Sequence, residues 1–166
     1  MTRTLLTAAL ALALTGPAAA QTPSSLGKYN DWTAWSYSGQ NGKVCYIYSK
    51  PSELLPRNLN HGDVSFFIRT SPSEGISQEA NFVAGYAFED NSTVSVEIDG
   101  KTFQMFTQGD SAWLVNAAEE EDLVEAMRSG RQMTITGKSR RGNETTYRYS
   151  LSGVTAATDK ISNECK

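Results

Sequence analysis

The sequence predicts an all-β fold: an antiparallel immunoglobulin-like β-sandwich with one short amphipathic helix at about residues 117–129. Segments in which apolar and polar residues alternate are separated by clusters of Gly, Pro, Asn and Ser. The stretch from Val94 to Gly153 is predicted to form two hairpins with a helix between them. About eight or nine short strands at this spacing are typical of a two-layer antiparallel structure.

Asp99-Gly100 predicts a two-residue hairpin turn, because both central positions of a type I′ turn require a positive φ. A register change of one residue would turn Phe103 and Met105 away from the apolar face of the other strand, so the apolar pattern selects the pairing. The predicted pairs are Ile98 with Lys101, Val96 with Phe103, and Val94 with Met105.

The predicted helix starts at Asn116, which can cap a free backbone N–H while Glu119 reaches back to the cap. The acidic run at residues 119–122 then lies in the first turn, where the helix dipole favours negative charge. Arg128 suits the last turn, and Gly130 suits the position after the helix. The apolar stripe consists of Leu123, Val124, Ala126 and Met127.

A second hairpin is predicted at residues 133–151, where apolar side chains alternate on both sides of a turn. Placing the two apolar sets face to face pairs Met133 with Leu151 and centres the turn on Gly142. The loop then has an odd number of residues, about three to five. The alternating residues are Met133, Ile135 and Gly137 on one strand, and Tyr147, Tyr149 and Leu151 on the other. Lys138, Arg140 and Arg141 lie at or near the loop.

The same alternation predicts the other strands, and residues 71–78, which contain Pro72 and Gly75, are expected to form a loop. Residues 154–161 are expected to be a last strand or coil. The other predicted strands are residues 31–37, 44–49, 63–70, 81–88 and 112–115.

The N-terminal segment is typical of a secretory signal peptide. Arg3 precedes an apolar run, and Ala18-Ala19-Ala20 offers a cleavage site after Ala20. The run is too short for a membrane helix, and no later stretch approaches the roughly 20 apolar residues required. We therefore expect a soluble protein of the periplasm, the medium or the cell surface. Its expected segments are a signal peptide at 1–20, a flexible leader at 21–30 and a single domain at 31–166.

Two cysteines occur in the sequence, Cys45 in a predicted early strand and Cys165 beside the C-terminus. An even number of cysteines in an exported chain favours a disulfide, which would join the tail to the sheet. A reactive thiol or a metal ligand is the competing interpretation, but neither cysteine has a CxxC partner.

The net charge is −3 at pH 7, and cleavage after Ala20 would remove Arg3 and make it −4. General binding to nucleic acid requires a basic surface, so we expect no nucleic-acid partner.

The sequence contains no catalytic constellation, so we expect no enzymatic activity, no metal and no cofactor. His61 is the single histidine and lies in a polar turn near Asp63 and Ser65. No nucleophile motif surrounds these residues, which favours a loop histidine over a catalytic triad. A zinc site would require three or four ligands.

Charged runs offer two candidate sites. The acidic run at 119–122 lacks the spacing of a calcium loop, and its position at a helix start explains it. Lys138, Arg140 and Arg141 form the candidate contact for an anionic partner such as lipid or an acidic protein, with solvated loop charge as the alternative.

Aromatic side chains on the predicted strands suit either an exposed interface or the core, and core packing is favoured for most of them. They are Trp32, Trp35, Tyr46, Tyr48, Tyr147 and Tyr149.

A series of short motifs follows in a defined order along the chain. The motifs are Val44-Cys45 with Pro51, Gly85-Tyr86-Ala87-Phe88, Val96-Glu97-Ile98-Asp99-Gly100 with Phe103, Ala112-Trp113, Ala126-Met127-Arg128-Ser129-Gly130, Gly137-Lys138-Ser139-Arg140-Arg141-Gly142, Tyr149-Ser150-Leu151-Ser152-Gly153 and a terminal Cys165. In order and spacing they resemble the invasion-associated locus B family of exported bacterial proteins.

This resemblance implies a periplasmic or surface-associated β-sandwich with no known enzymatic activity and no agreed catalytic residues. Many family members carry additional cysteines near the first strand, where this chain has Ser36 and Tyr37. A second disulfide is therefore not expected.

Together these observations predict an exported, non-enzymatic envelope protein, a binding or accessory module linked to host-cell interaction. Its partner would be a protein or another envelope component. The alternative is a periplasmic hydrolase or an enzyme inhibitor acting on envelope components. Weak association of the basic loop with an anionic membrane surface is a third hypothesis.

Overall fold

The alternating segments of the sequence form antiparallel strands. The structure is a computed structural model that describes residues 22–166. The predicted signal peptide therefore lies outside the described residues. The strands are β1 (Ser24–Tyr29), β2 (Trp32–Gly39), β3 (Gly42–Ser49), β4 (Glu53–Leu55), β5 (Ser65–Ser71), β6 (Ile76–Val83), β7 (Thr93–Ile98), β8 (Lys101–Gln108), β9 (Ser111–Leu114), β10 (Gln132–Lys138) and β11 (Glu144–Ser150). The helices are α1 (Glu120–Ser129) and α2 (Val154–Glu164).

All strands join one open antiparallel sheet in the order β1-β2-β3-β5-β6-β9-β8-β7-β10-β11-β4. The sheet folds over, so that inward side chains of its two halves meet in the core. The ring of Phe66 in β5 lies 6.2 Å from that of Tyr149 in β11, and the ring of Phe82 in β6 lies 5.5 Å from that of Tyr147. The predicted all-β, sandwich-like class is confirmed, although its two layers remain hydrogen-bonded as one sheet.

The hairpin between β7 and β8 has the predicted register. Ile98 pairs with Lys101, and Val96 pairs with Phe103. Asp99 and Gly100 have φ values of 48° and 84°, as a type I′ turn requires. The turn chemistry and the apolar alternation therefore select the same pairing.

The hairpin between β10 and β11 differs from the prediction by two residues. Met133 pairs with Tyr149 rather than with Leu151. The loop at residues 139–143 is closed by a backbone hydrogen bond from Ser139 N to Asn143 O, which moves the turn centre from Gly142 to Arg141. An even shift keeps every side chain on its predicted face, so alternation alone cannot distinguish the two registers.

The predicted helix at about 117–129 is confirmed. A 3₁₀ turn at Ala117–Glu119 leads into α1, and the side chain of Asn116 accepts a hydrogen bond from Ala118 N at 3.1 Å. The Glu119 side chain accepts a hydrogen bond from the side-chain amide of Asn116, rather than from the backbone N–H of Asn116 as predicted. The three most buried residues of α1 are Leu123, Val124 and Met127.

The expectation of a strand or coil at residues 154–161 is wrong, because this segment begins α2. Val154, Ala157, Thr158 and Ile161 are buried at helical spacing. Gly153 precedes the helix with a φ of 94°, and a Cβ at this position would lie 2.0 Å from Tyr29 O. A glycine is therefore required where the chain enters α2 beside β1.

Two further boundaries differ from the predictions. The leader at 21–30, expected to be flexible, contains β1, which pairs with β2 at the edge of the sheet. An edge strand has one neighbour and can be short and polar, so its sequence lacks the apolar alternation of an inner strand. The strand expected at 81–88 begins at Ile76 and ends at Val83, because β5 pairs with it over this range. Phe88 forms only an isolated bridge with Ser139.

The C-terminal tail packs against the first three strands. Helix α2 contacts β1, β2 and β3, and the sulfurs of Cys45 in β3 and Cys165 lie at disulfide-bonding distance, with a Cα separation of 6.0 Å. Both cysteines are buried. Neither α1 nor α2, the helices of the described region, has the length and apolar character that a bilayer crossing requires.

We predict that replacing both Cys45 and Cys165 with Ser destabilises the protein by about 2–5 kcal/mol, because the disulfide closes a loop of 120 residues. Urea unfolding with and without reductant measures this change. An equal unfolding midpoint for the oxidised protein and the double variant would contradict the prediction.

Candidate binding site

Three loops meet beside the end of β10 and enclose a cleft of about 520 Å³. One loop carries His61, the second carries Tyr86, and the third is the β10–β11 loop with Arg140 and Arg141. The first two approach so closely that a Cβ on Gly85 would lie 2.2 Å from His61 O. The absence of a side chain at Gly85 thus permits the loop contact that forms this end of the cleft.

Both ring nitrogens of His61 form hydrogen bonds within the protein. Its Nε2 lies 2.9 Å from Pro56 O, and its Nδ1 lies 2.9 Å from the hydroxyl of Tyr147. Because a carbonyl oxygen can only accept, Nε2 carries the proton and Nδ1 accepts the hydroxyl hydrogen. Burial raises the pKa of Tyr147, which keeps its phenol protonated as the donor.

The suggested triad of His61, Asp63 and Ser65 does not form. Asp63 pairs with Lys50 at 2.9 Å, and its side chain is 93% exposed. His61 is 7% exposed, and its ring hydrogen bonds go to Pro56 and Tyr147 instead. His61 is therefore a buried loop histidine that holds the loop against β11.

The hydroxyl of Tyr86 supplies the adjoining wall. Thr145 Oγ1 donates to Gly137 O at 3.1 Å, so the contact between Tyr86 and Thr145 has Tyr86 as its donor. The phenol oxygen of Tyr86 keeps its lone pairs for a further hydrogen bond. Asn60 and Asn143 also line the cleft with side-chain amides.

The three basic residues singled out in the sequence occupy different electrostatic positions. Lys138 pairs with Glu89 at 3.0 Å and does not line the cleft, and Arg140 pairs with Asp90 at 3.0 Å. Arg141 lines the cleft and forms no ion pair with any of residues 22–166. No carboxylate is among the lining residues, so the charge of Arg141 is the uncompensated one at this cleft.

The acidic start of α1 has a structural role that the sequence did not indicate. Glu120 Oε2 accepts a hydrogen bond from Ala80 N at 2.8 Å, just beyond the segment of β6 that pairs with β9. The carboxylate thus replaces a missing strand partner. Among residues 22–166, no group of three or more His, Cys, Asp or Glu side chains could hold a metal ion.

Burial raises the pKa of Glu120 from its ordinary 4.5 to about 7, and Glu79 adds to the rise, while the hydrogen bond from Ala80 opposes it. The folded state therefore binds this proton more tightly than the unfolded state. It follows that the contribution of Glu120 to stability falls as pH rises from about 4.5 to about 7 and is constant above that range.

The comparisons with known proteins agree with this architecture. Residues 32–162 match the model of the family described as invasion associated locus B (IalB) protein. The chain belongs to this family. The resemblance predicted from the short motifs is therefore confirmed.

Among solved structures, this family member is similar to the crystal structure of invasion associated protein B from Bartonella henselae. The TM-score is 0.61 at 14% identity, over 83% of this chain and 95% of that chain. A likeness at this identity shows the fold alone. No curated protein matches the sequence.

We predict that His61→Ala destabilises the protein by about 1–3 kcal/mol, because it leaves the buried Tyr147 hydroxyl without its acceptor, while Pro56 O keeps its hydrogen bond from Leu59 N. Urea unfolding should also show coupling between His61→Ala and Tyr147→Phe of about 1 kcal/mol in a double-mutant cycle. The control Asp63→Ala should change stability by less than about 0.5 kcal/mol. Additive effects of the two buried substitutions would exclude the bridge.

We predict that Glu120→Gln removes the loss of stability between about pH 4.5 and pH 7. The Gln side-chain oxygen can still accept from Ala80 N, so the variant should melt at a higher temperature than the wild type above pH 7 and at a similar temperature near pH 4.5. Thermal unfolding across this range is the measurement. Glu121→Gln, a change at the exposed neighbouring residue, is the control. Parallel pH profiles for wild type and Glu120→Gln would rule the contact out.

Proposed function

We propose that this family member is an exported, non-enzymatic protein of the bacterial envelope or periplasm that binds an anionic partner in the cleft beside the β10–β11 loop. The observation that carries the proposal is the position of Arg141. It lines a cleft that contains hydrogen-bond donors and no carboxylate.

Export is supported by the composition of residues 1–20 and by the cysteine pair. Disulfides persist in oxidising compartments such as the periplasm, the medium and the cell surface. Cleavage after Ala20 would leave Gln21 at the N-terminus, only three residues before β1.

Binding of an anion is supported by the chemistry of the cleft. Arg141 supplies an uncompensated guanidinium group, whose planar donors suit phosphate and carboxylate oxygens. The amides of Asn60 and Asn143 can supply further donors. A phosphate-bearing envelope lipid presents oxygens of this kind.

The non-enzymatic role is supported by the state of His61. A general base must have a ring nitrogen available for the proton it removes, and both nitrogens of His61 are already engaged. The alternative function, a periplasmic hydrolase or an enzyme inhibitor, therefore has less support from the cleft. A link to host-cell interaction is supported only by the names of the family and of the similar Bartonella henselae protein, both of which refer to invasion.

We predict that the protein co-sediments with vesicles that contain phosphatidylglycerol. Arg141→Gln should weaken this binding about fivefold, because one cation near an anionic surface contributes about 1 kcal/mol to binding. Binding should decline from 0.1 M to 1 M salt, as the Debye length falls from about 10 Å to about 3 Å. Vesicles of phosphatidylcholine alone are the lipid control.

Arg131→Gln is the matched protein control, since it removes the same charge from an exposed position at the opposite end of β10. Equal losses in the two arginine variants would show that net charge, rather than the cleft, determines binding. Hydrolysis of an envelope substrate that disappears in His61→Ala, under conditions in which this variant remains folded, would favour the enzyme instead.

A further inference from the structure

A row of aromatic side chains crosses the outer face of one half of the sheet. The strand register places its members side by side on neighbouring strands: β3, β5, β6, β9 and β8. Four of the five residues at these positions are aromatic, and Asn81 lies between the two aromatic pairs. We call the five residues the aromatic row: Tyr48, Phe67, Asn81, Trp113 and Phe106. The corresponding row on the other half of the sheet is polar and consists of Thr102, Glu97, Thr134, Arg148 and Glu53.

The rings of the aromatic row hold one another in place. The centroids of Tyr48 and Phe67 are 5.7 Å apart, and Phe106 stacks on Trp113 at 5.8 Å with an interplanar angle of 28°. Phe106 is 45% exposed, although it is a large apolar residue. Because the rings are already packed, a ligand would order few additional side-chain torsions when it binds.

A shallow groove of about 550 Å³ runs along this face. Tyr37, Tyr46 and Phe67 line one side and Trp113 lines the other. Arg69, Glu79 and Asn81 are its polar lining. The groove thus combines apolar walls with a few planar polar groups, the usual composition of a small-molecule site.

The charged lining residues of the groove are one cation and one carboxylate, because Arg69 pairs with Glu79 at 3.1 Å. Glu74, outside the lining, also pairs with Arg69 at 3.2 Å, so these three side chains together carry one net negative charge. The side-chain nitrogen of Asn81 donates to Ala112 O, which leaves its oxygen available as an acceptor. An occupant that complements this surface therefore carries no negative charge, has apolar faces for the rings and presents hydroxyl groups to the polar residues.

We propose that the aromatic row and its groove bind a neutral glycan chain. The flat C–H faces of pyranose rings complement aromatic rings, and their equatorial hydroxyls complement Arg69, Glu79 and Asn81. Neighbouring strands are about 4.8 Å apart, so Phe67 and Trp113 are separated by about 10 Å and the whole row extends about 19 Å. This length suits an oligosaccharide of several units.

A second copy of the chain fits the row less well. Aromatic side chains present about 150–250 Å² each, and most of every ring except Phe106 is covered, so the exposed ring area is on the order of 400 Å². A stable protein interface buries about 800 Å² per partner. The glycan site is separate from the cleft that Arg141 lines, here called the arginine cleft, and the inference does not depend on the proposed function.

Isothermal titration of the purified, disulfide-bonded protein with cellohexaose and with chitohexaose, two uncharged glycans, tests the proposal. We expect one or both to bind, and Trp113→Leu and Phe106→Ala to weaken that binding about tenfold and about threefold. Thr134→Ala, on the polar half of the outer face, should bind within about twofold of the wild type. Phe106 is exposed enough for its truncation to leave the fold intact, which thermal unfolding verifies.

Absence of binding by both glycans at millimolar concentration would overturn the proposal. Binding that the two ring variants leave unchanged would do the same. Sedimentation that reveals a dimer abolished by Trp113→Leu would assign the row to a second copy of the chain and would also overturn it.

Discussion

Side-chain alternation along hydrogen-bonded strands is the constraint on which the rest of this structure depends. Phe66 and Phe67 are neighbours in β5, yet Phe66 contacts Trp32 and Tyr149 in the core while Phe67 contacts Tyr46 and Tyr48 on the outer face. Because successive side chains point to opposite faces, a residue that faces the core places its two neighbours in the strand on the outer face. The strand register therefore determines both which residues form the core and which residues form the outer surface.

Two polar sites of the molecule lie where this regular pairing stops. The arginine cleft forms at the turn after β10, and Glu120 occupies the position beside Ala80 that no strand fills. Helix α2 and the Cys45–Cys165 pair hold the tail against β3. The two candidate binding surfaces differ accordingly: the turn presents uncompensated positive charge, and the sheet presents neutral aromatic rings.

The sequence predicted the features that neighbouring residues determine. Asp99-Gly100 specified its turn, and the 117–129 stripe specified a helix. Helix α2 is not predicted although its buried residues have helical spacing, because it lacks the side-chain cap, the acidic first turn and the basic last turn that identify α1. The β10–β11 register was missed because an even shift preserves the apolar pattern.

The candidate site was predictable in part. The loop position of Arg140 and Arg141 followed from the hairpin, whereas their convergence with His61 did not. The hydrogen bond between His61 and Tyr147 joins residues 86 positions apart, and no local pattern indicates it. Contacts of this range depend on how the sheet folds over, which alternation does not specify.

Hydroxyl-radical footprinting of the folded, oxidised protein, read residue by residue by mass spectrometry, tests the alternation most directly. We expect oxidation of Phe67, Phe106 and Trp113, and protection of Phe66, Phe82 and Trp32 until the protein unfolds. Equal oxidation of Phe66 and Phe67, or the reverse order, would contradict it.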